Sequence, residues 1–203
     1  MPKNDLLIPL QHFFQIKCLT INMSNMAKNK KPDIEIVFRE LVKTYGERIY
    51  NLALIKSNQV VLAEDICQET YIRAFKGLSR FRNEAELGTW IYRIALNVCH
   101  TMLKKESRFT QFGGSTDQRD DYEPVERDSD VQDIFSREES KLEVRRAISA
   151  LPKLQSDAIA LYYLQEFQYT EVATIMDIPI NTVKSHLRRA KANLRELIPE
   201  DAR

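Results

Sequence analysis

Glycine is scarce in this chain, five in 203 residues, and cysteine scarcer still at three. So little glycine, with 43% hydrophobic and 29% charged residues, points away from collagen-like, sheet-rich or wholly disordered chains and toward a soluble helical protein. Cys18, Cys67 and Cys99 stand far apart, with no Cys-x-x-Cys pair and no histidine spacing suited to zinc. A reducing cytoplasm is the expected setting. His100 follows Cys99, but neighbours on a helix diverge by about 100°, so Cys99 reads as an ordinary buried thiol. Apolar runs long enough to span a membrane are missing, so no direct membrane insertion is expected. The stretch Leu6 to Phe14 is broken by Pro9, Gln11 and His12 and precedes no small-residue cleavage site, which argues against secretion. There is also no glycine-rich phosphate loop and no cluster of metal ligands, and the histidines are scattered. Neither catalytic residues nor a metal or cofactor are expected.

The formal net charge of +1 conceals an asymmetry. Asp117 to Glu139 is rich in acids, whereas Thr182 to Arg195 carries Lys184, Arg188, Arg189, Lys191 and Arg195 with no acid. Nucleic acid is the partner such a basic end suggests.

Residues 1–32 lack steady periodicity and form an N-terminal extension, expected to be disordered. Met23 and Met26 stand just before the first patterned segment, which leaves an internal start open. From Ile34 to Lys56, Ile34, Val37, Phe38, Leu41, Tyr45, Ile49, Leu52 and Ile55 recur at three and four, predicting an amphipathic helix. A second, Val60 to Leu78, turns Leu62, Ile66, Tyr71, Phe75 and Leu78 inward and leaves Glu64, Asp65, Gln68 and Glu69 as an exposed face. Ser79 to Gly88 reads as a polar loop, and a third helix follows from Thr89 to Lys105. Glu106 to Ser136, with Gly113-Gly114, Pro124 and many acids, reads as a flexible linker. Beyond it Val144, Ala147, Ile148 and Leu151 mark a helix stopped by Pro152, and Leu154, Ala158, Leu161 and Tyr162 mark the next. A short helix, Glu171 to Met176 with Thr170 as its expected cap, is separated by Asp177-Ile178-Pro179 from a longer one ending near Leu197. That is helix-turn-helix spacing. The fold class is therefore all-α, with two small helical domains joined by an acidic linker. Extension, first domain, linker and second domain are assigned to 1–32, 33–106, 107–138 and 139–200.

Two helices carry faces suited to nucleic acid. In the last, Val183, Leu187, Ala190 and Leu194 form an inward seam, and Lys184, Arg188, Lys191 and Arg195 a parallel basic stripe flanked by Ser185, His186 and Arg189. The N-terminal half of such a helix fits a major groove, where arginine meets the paired acceptors of guanine; the plainer alternative is a solvated basic face. In the third helix Ile91, Ala95, Val98 and Met102 turn inward, while Trp90, Arg93, Asn97, His100 and Lys104 align elsewhere. Stacking, amide and cationic groups together suit an unpaired base, although a lone tryptophan at a helix start also serves as a core anchor.

Three runs of the first half are Ala63-Glu-Asp-Ile-Cys-Gln-Glu-Thr-Tyr-Ile-Arg-Ala-Phe75, Phe81-Arg-Asn83 and Thr89-Trp-Ile-Tyr-Arg-Ile-Ala-Leu-Asn97. The second half contains Leu151-Pro-Lys-Leu-Gln155, Tyr169-Thr-Glu-Val-Ala-Thr-Ile-Met176 and Asn181-Thr-Val-Lys-Ser-His-Leu-Arg-Arg-Ala-Lys191. In order and separation these resemble the promoter-melting and C-terminal DNA-binding domains of extracytoplasmic-function (ECF) sigma factors of the sigma-E-like family, over roughly Ile34–Lys105 and Lys141–Leu197. The resemblance implies a cytoplasmic, non-enzymatic initiation factor that binds core RNA polymerase at its beta-prime clamp helices and beta flap. It also implies promoter DNA as ligand and an anti-sigma factor as a further partner. By position, Asp65, Gln68 and Glu69 would meet the clamp helices. Arg80, Arg82, Asn83, Trp90, Arg93, Asn97 and Lys104 would recognise and open the minus-ten element. Thr182, Lys184, Ser185, His186, Arg188 and Arg189 would read the minus-thirty-five element. Thr101 stands where many members have Asp or Asn, and His186 where arginine is frequent, so no promoter sequence transfers. The alternative is a stand-alone helix-turn-helix regulator, dimeric on a palindromic site; it accounts for the second half only.

Overall fold

The computed structural model describes residues 32–81, 86–111 and 142–198, all in helices and short connections, with no strand among the described residues. The predicted linker lies almost wholly outside them, as does the N-terminal extension.

Helix α1 (Pro32–Ser57), α2 (Val60–Leu78) and α3 (Leu87–Gln111) form the N-terminal bundle. Phe38, Leu41, Ile49 and Leu52 of α1 are buried, as the periodicity requires, whereas Val37 is 43% exposed and belongs to the outer face. Phe38 sets its ring edge-on against Tyr71 and Phe75 of α2, with centroids 6.2 and 5.1 Å away, a favoured aromatic geometry. All five predicted inward residues of α2 are buried. Asn58, in the left-handed region at φ 53°, ends α1, its amide donating to Leu54 O at 2.8 Å. Helix α3 starts two residues earlier than predicted and runs six further, taking up the first part of the predicted linker. Gly88 lets it approach α1 closely: a Cβ there would lie 2.9 Å from the Tyr45 hydroxyl.

The C-terminal half comprises α4 (142–150), α5 (Lys153–Ile159), a π-helical turn (Ala160–Leu164), α6 (Tyr169–Met176) and α7 (Ile180–Leu197). Leu154, expected inside, is 41% exposed at the first turn of α5, because Ala158, Ile159, Ala160 and Leu161 supply the inward face. The cap of α6 also differs from expectation. Gln168 rather than Thr170 stands at the N-cap, and its amide donates to Glu171 Oε2 at 2.7 Å. Asp177, at φ 57°, makes the left-handed turn that ends α6, and Pro179 opens α7. Val172 and Ile175 of α6 then pack with Val183, Leu187 and Ala190 of α7. The helix-turn-helix expected from sequence is present.

The two halves share one hydrophobic cluster. Residues 49–56 of α1 are buried on every face, since the segment lies between its own bundle and the C-terminal half.

Candidate nucleic-acid interface

On α7 the seam predicted from sequence faces inward, with Val183, Leu187 and Ala190 buried and Leu194 half-buried. The basic stripe faces out: Lys184, Arg188, Arg189, Lys191 and Arg195 are exposed. Thr182, Ser185 and His186 are half-buried, and the Ser185 hydroxyl donates back to Asn181 O at 3.0 Å, holding it against its own helix. His186 Nδ1 is buried with no hydrogen-bond partner among the described residues, so only part of its ring faces solvent.

An aromatic backing supports this stripe. Tyr169 stacks on Tyr162 with centroids 4.6 Å apart and planes 10° from parallel. The Lys184 ammonium sits 5.8 Å from the Tyr169 centroid, and Lys191 sits 5.1 Å from that of Tyr163. Cation–π contacts of this kind hold flexible lysines in place at a gain of about 0.5–1 kcal/mol each where exposed. The only sequence signal was three tyrosines shortly before a basic helix.

On α3, Asn97 and Lys104 are exposed, and the Thr101 hydroxyl donates to Asn97 O at 2.8 Å. Trp90 is half-buried. Its ring lies 5.0 Å from that of Phe81 and 3.1 Å from where a Cβ on Gly77 would stand, so it anchors the loop to α2 while leaving part of its surface accessible. Arg80 is exposed; Arg82 and Asn83 lie outside the described residues. Arg93 is engaged by the C-terminal half: its Nε donates to Thr174 O at 3.2 Å, Nη2 donates to the same carbonyl, and Nη2 lies 3.6 Å from Asp177 Oδ1.

On α2, Asp65 and Gln68 are exposed, while Glu69 is half-buried and paired with Arg73 Nε at 2.7 Å. A pair this exposed is worth about 0–1 kcal/mol and leaves Glu69 able to exchange partners. Asp65, Gln68 and Glu69 therefore share a side of α2 opposite its buried seam.

Sequence reasoning missed a buried polar network between the halves. Asp157 of α5, with no side-chain exposure, takes Lys56 Nζ of α1 on Oδ1 at 2.7 Å and His100 Nε2 of α3 on Oδ2 at 2.8 Å. Lys56 also donates to the Ser156 hydroxyl at 2.8 Å. Burial alone would raise the Asp157 carboxyl, but the His100 hydrogen bond and the Lys56 charge outweigh it and hold the group below the ordinary carboxylate range. Nearby, burial pushes the Cys99 thiol up to about 12, in keeping with the inert buried thiol expected from sequence. Gln165, at the end of the π turn, accepts the Tyr92 hydroxyl at 2.6 Å on Oε1, and its carbonyl accepts Arg48 Nη2. Phe167 meets the Tyr92 ring edge-on with centroids 4.7 Å apart.

Two family profiles match the chain, sigma-70 region 2 over residues 41–109 and sigma-70 region 4 over 141–194. The RNA polymerase sigma-H factor of Pseudomonas aeruginosa is 31% identical over 160 residues, covering 76% of this chain and 82% of that protein. The ECF sigma factor SigW of Bacillus subtilis is 28% identical, covering 83% of this chain and 92% of that protein. Among solved structures, RpoE in complex with the anti-sigma factor NepR from Bartonella quintana superposes with a TM-score of 0.58 at 23% identity, covering 81% of this chain and 96% of that one. CnrH, in complex with the cytosolic domain of CnrY, superposes with a TM-score of 0.59 at 18% identity, covering 80% and 88%; both likenesses establish the fold. With both regions matched in order, a helix-turn-helix in the second and relatives aligned over most of their length, the chain belongs to the sigma-70 family as an ECF, sigma-E-like RNA polymerase sigma factor, a director of promoter-specific transcription initiation.

Proposed function

We propose that the two faces divide promoter recognition by the chemistry of their side chains. The α7 stripe is cationic and rigidly backed, which suits duplex DNA: Lys184, Arg188 and Arg189 are exposed to reach guanine edges or phosphates. Ser185, His186 and Thr182 flank them and shape the contact with the minus-thirty-five element. The α3 face suits an extruded base of the minus-ten element. Trp90 offers a partly open ring, Asn97 an exposed amide, and Lys104, Arg93 and Arg80 cationic charge for the backbone. Arg82 and Asn83 belong to the same loop by sequence. Asp65, Gln68 and Glu69 dock on the beta-prime clamp helices of core polymerase, and the C-terminal domain on its beta flap. The chain works in the cytoplasm and makes no covalent change itself; phosphodiester synthesis belongs to the polymerase. An anti-sigma factor is the expected inhibitor, as NepR is named for RpoE. Among the described residues no helix is long and apolar enough to cross a membrane.

The observation that carries this division is the exposure of Asn97 on a helix whose opposite side is fully buried. A contact made only after a base leaves the stack acts on melting rather than on first binding. Asn97→Ala is therefore expected to leave duplex affinity near wild type and to lower the fraction of open promoter on the order of ten- to a hundredfold, the worth of one buried hydrogen bond. Gel-shift affinity and permanganate reactivity of unpaired thymines, read on one promoter with holoenzyme, separate the two steps. Lost duplex affinity with normal melting would move Asn97 out of the single-strand site.

A further inference from the structure

In the opening turns of α7, Asn181 presents an exposed side chain whose amide makes no hydrogen bond with the described residues. Its neighbours are occupied or turned inward. Val183 is buried, and Ile180, Thr182 and His186 are half-buried. The Ser185 hydroxyl is folded back onto the Asn181 carbonyl at 3.0 Å, and the Lys184 ammonium is drawn to within 5.8 Å of the Tyr169 centroid. Seven residues on, Arg188 is again exposed. At about 100° per residue the two lie roughly 20° apart around the helix, and at ~1.5 Å per residue about 10 Å apart along it. Asn181 therefore shares the outward face of Arg188 but stands nearer the helix start, the part that contacts base edges when such a helix enters a major groove.

The chemistry of that face is otherwise one-sided. Lys184, Arg188, Arg189, Lys191 and Arg195 carry donors only, which suits phosphates and the paired acceptors of guanine. Adenine presents one acceptor, N7, and one donor, N6, in the major groove, and a cation cannot satisfy both. A carboxamide can: Asn181 Nδ2 donates to N7 while Oδ1 accepts from N6. We propose that Asn181 is a specificity-determining residue of this chain and reads an adenine in the upstream promoter element. The helix spacing sets that adenine about three base steps, at ~3.4 Å each, from the base pair met by Arg188. This rests on the reading of α7 given above and takes it from charge attraction to a mixed guanine and adenine code. Because the carboxamide is neutral, its contact releases no counterions and adds discrimination without adding salt dependence.

The test is competitive binding of holoenzyme, assembled from core polymerase and the full chain, to promoter duplexes randomised across the upstream block, with the bound pool sequenced. The wild-type chain should favour A·T at one position by about ten- to a hundredfold. Asn181→Ala should lose that preference alone, with the salt slope and the helical circular dichroism spectrum unchanged. Arg188→Ala should lose a different position about three base pairs away. At the adenine position, 7-deazaadenine, which lacks N7, and purine, which lacks the N6 amino group, should each weaken wild-type binding several-fold and leave Asn181→Ala indifferent. An Asn181→Ala profile identical to wild type, while Arg188→Ala loses a position, would overturn the adenine contact and leave the reading of α7 standing. Even weakening across all sequences with a flatter salt slope would make Asn181 a backbone contact and overturn its role in specificity. Profiles unchanged in both variants would overturn the reading of α7 itself, and the adenine contact with it.

Discussion

Arg188 and Lys184 share a stripe but differ in setting, and the difference predicts different penalties. Arg188 is exposed with its full planar donor set, whereas Lys184 is held over Tyr169. Arg188→Ala should weaken binding to the upstream promoter element by about 1–3 kcal/mol and relax its sequence preference if the arginine reads a base. Lys184→Ala should weaken binding evenly across sequences and flatten the salt dependence, as a phosphate contact does. Fluorescence anisotropy on matched and mutated promoter duplexes at two salt concentrations checks both. An Arg188→Ala protein with unchanged affinity and an unchanged helical circular dichroism spectrum would remove α7 from recognition. Residues such as these were legible because exposure on an amphipathic helix follows from spacing alone. Lys56 and Asp157 were not. Each is an ordinary charged residue on its own helix, and only their meeting across a hundred positions gives them meaning.

At the scale of elements, α2 and α7 could be read to within a residue, because each has one buried seam and clear ends. The end of α1 carries a second signal besides its seam: Ile49 to Ile55 is apolar on nearly every face, the pattern of a helix covered from two sides. The π turn at Ala160–Leu164 leaves no periodic trace, yet it aims Gln165 at the N-terminal bundle. Gln165→Ala should therefore cost about 1–3 kcal/mol in chemical denaturation, since it leaves the buried Tyr92 hydroxyl without its acceptor. A Tyr92→Phe background should remove much of that cost, and full additivity of the two substitutions would deny the contact.

The α1–α3–α5 junction also predicts a pH dependence. The groups facing Asp157 are Lys56 from α1 and His100 and Cys99 from α3. Because the folded-state carboxyl is depressed, its contribution is complete above the unfolded-state value, about pH 4, and fades as pH falls through the folded-state value. The stability gap between wild type and Asp157→Asn, followed by urea denaturation, should thus be widest near neutrality and close on acidification. A gap independent of pH would mean that Asp157 is not an ionised partner in the folded chain.

For the whole molecule, two helical domains were evident from the distribution of seams and from the acid-rich stretch between them. Their direct packing was not, because an interface built from Arg48, Lys56, Tyr92, Asp157 and Gln165 draws single residues from helices far apart in sequence. Residues of both halves contribute to one hydrophobic cluster. This molecule confers promoter choice on a polymerase that lacks it, and transcription in vitro tests that most directly. Purified core polymerase, with and without the full chain, is run on a pooled promoter library and the transcript 5′ ends are mapped. Addition of the chain should create new, sharply positioned start sites that share two upstream sequence blocks. Start sites unchanged from core polymerase alone, with the chain bound instead as a dimer to a palindromic duplex, would contradict it.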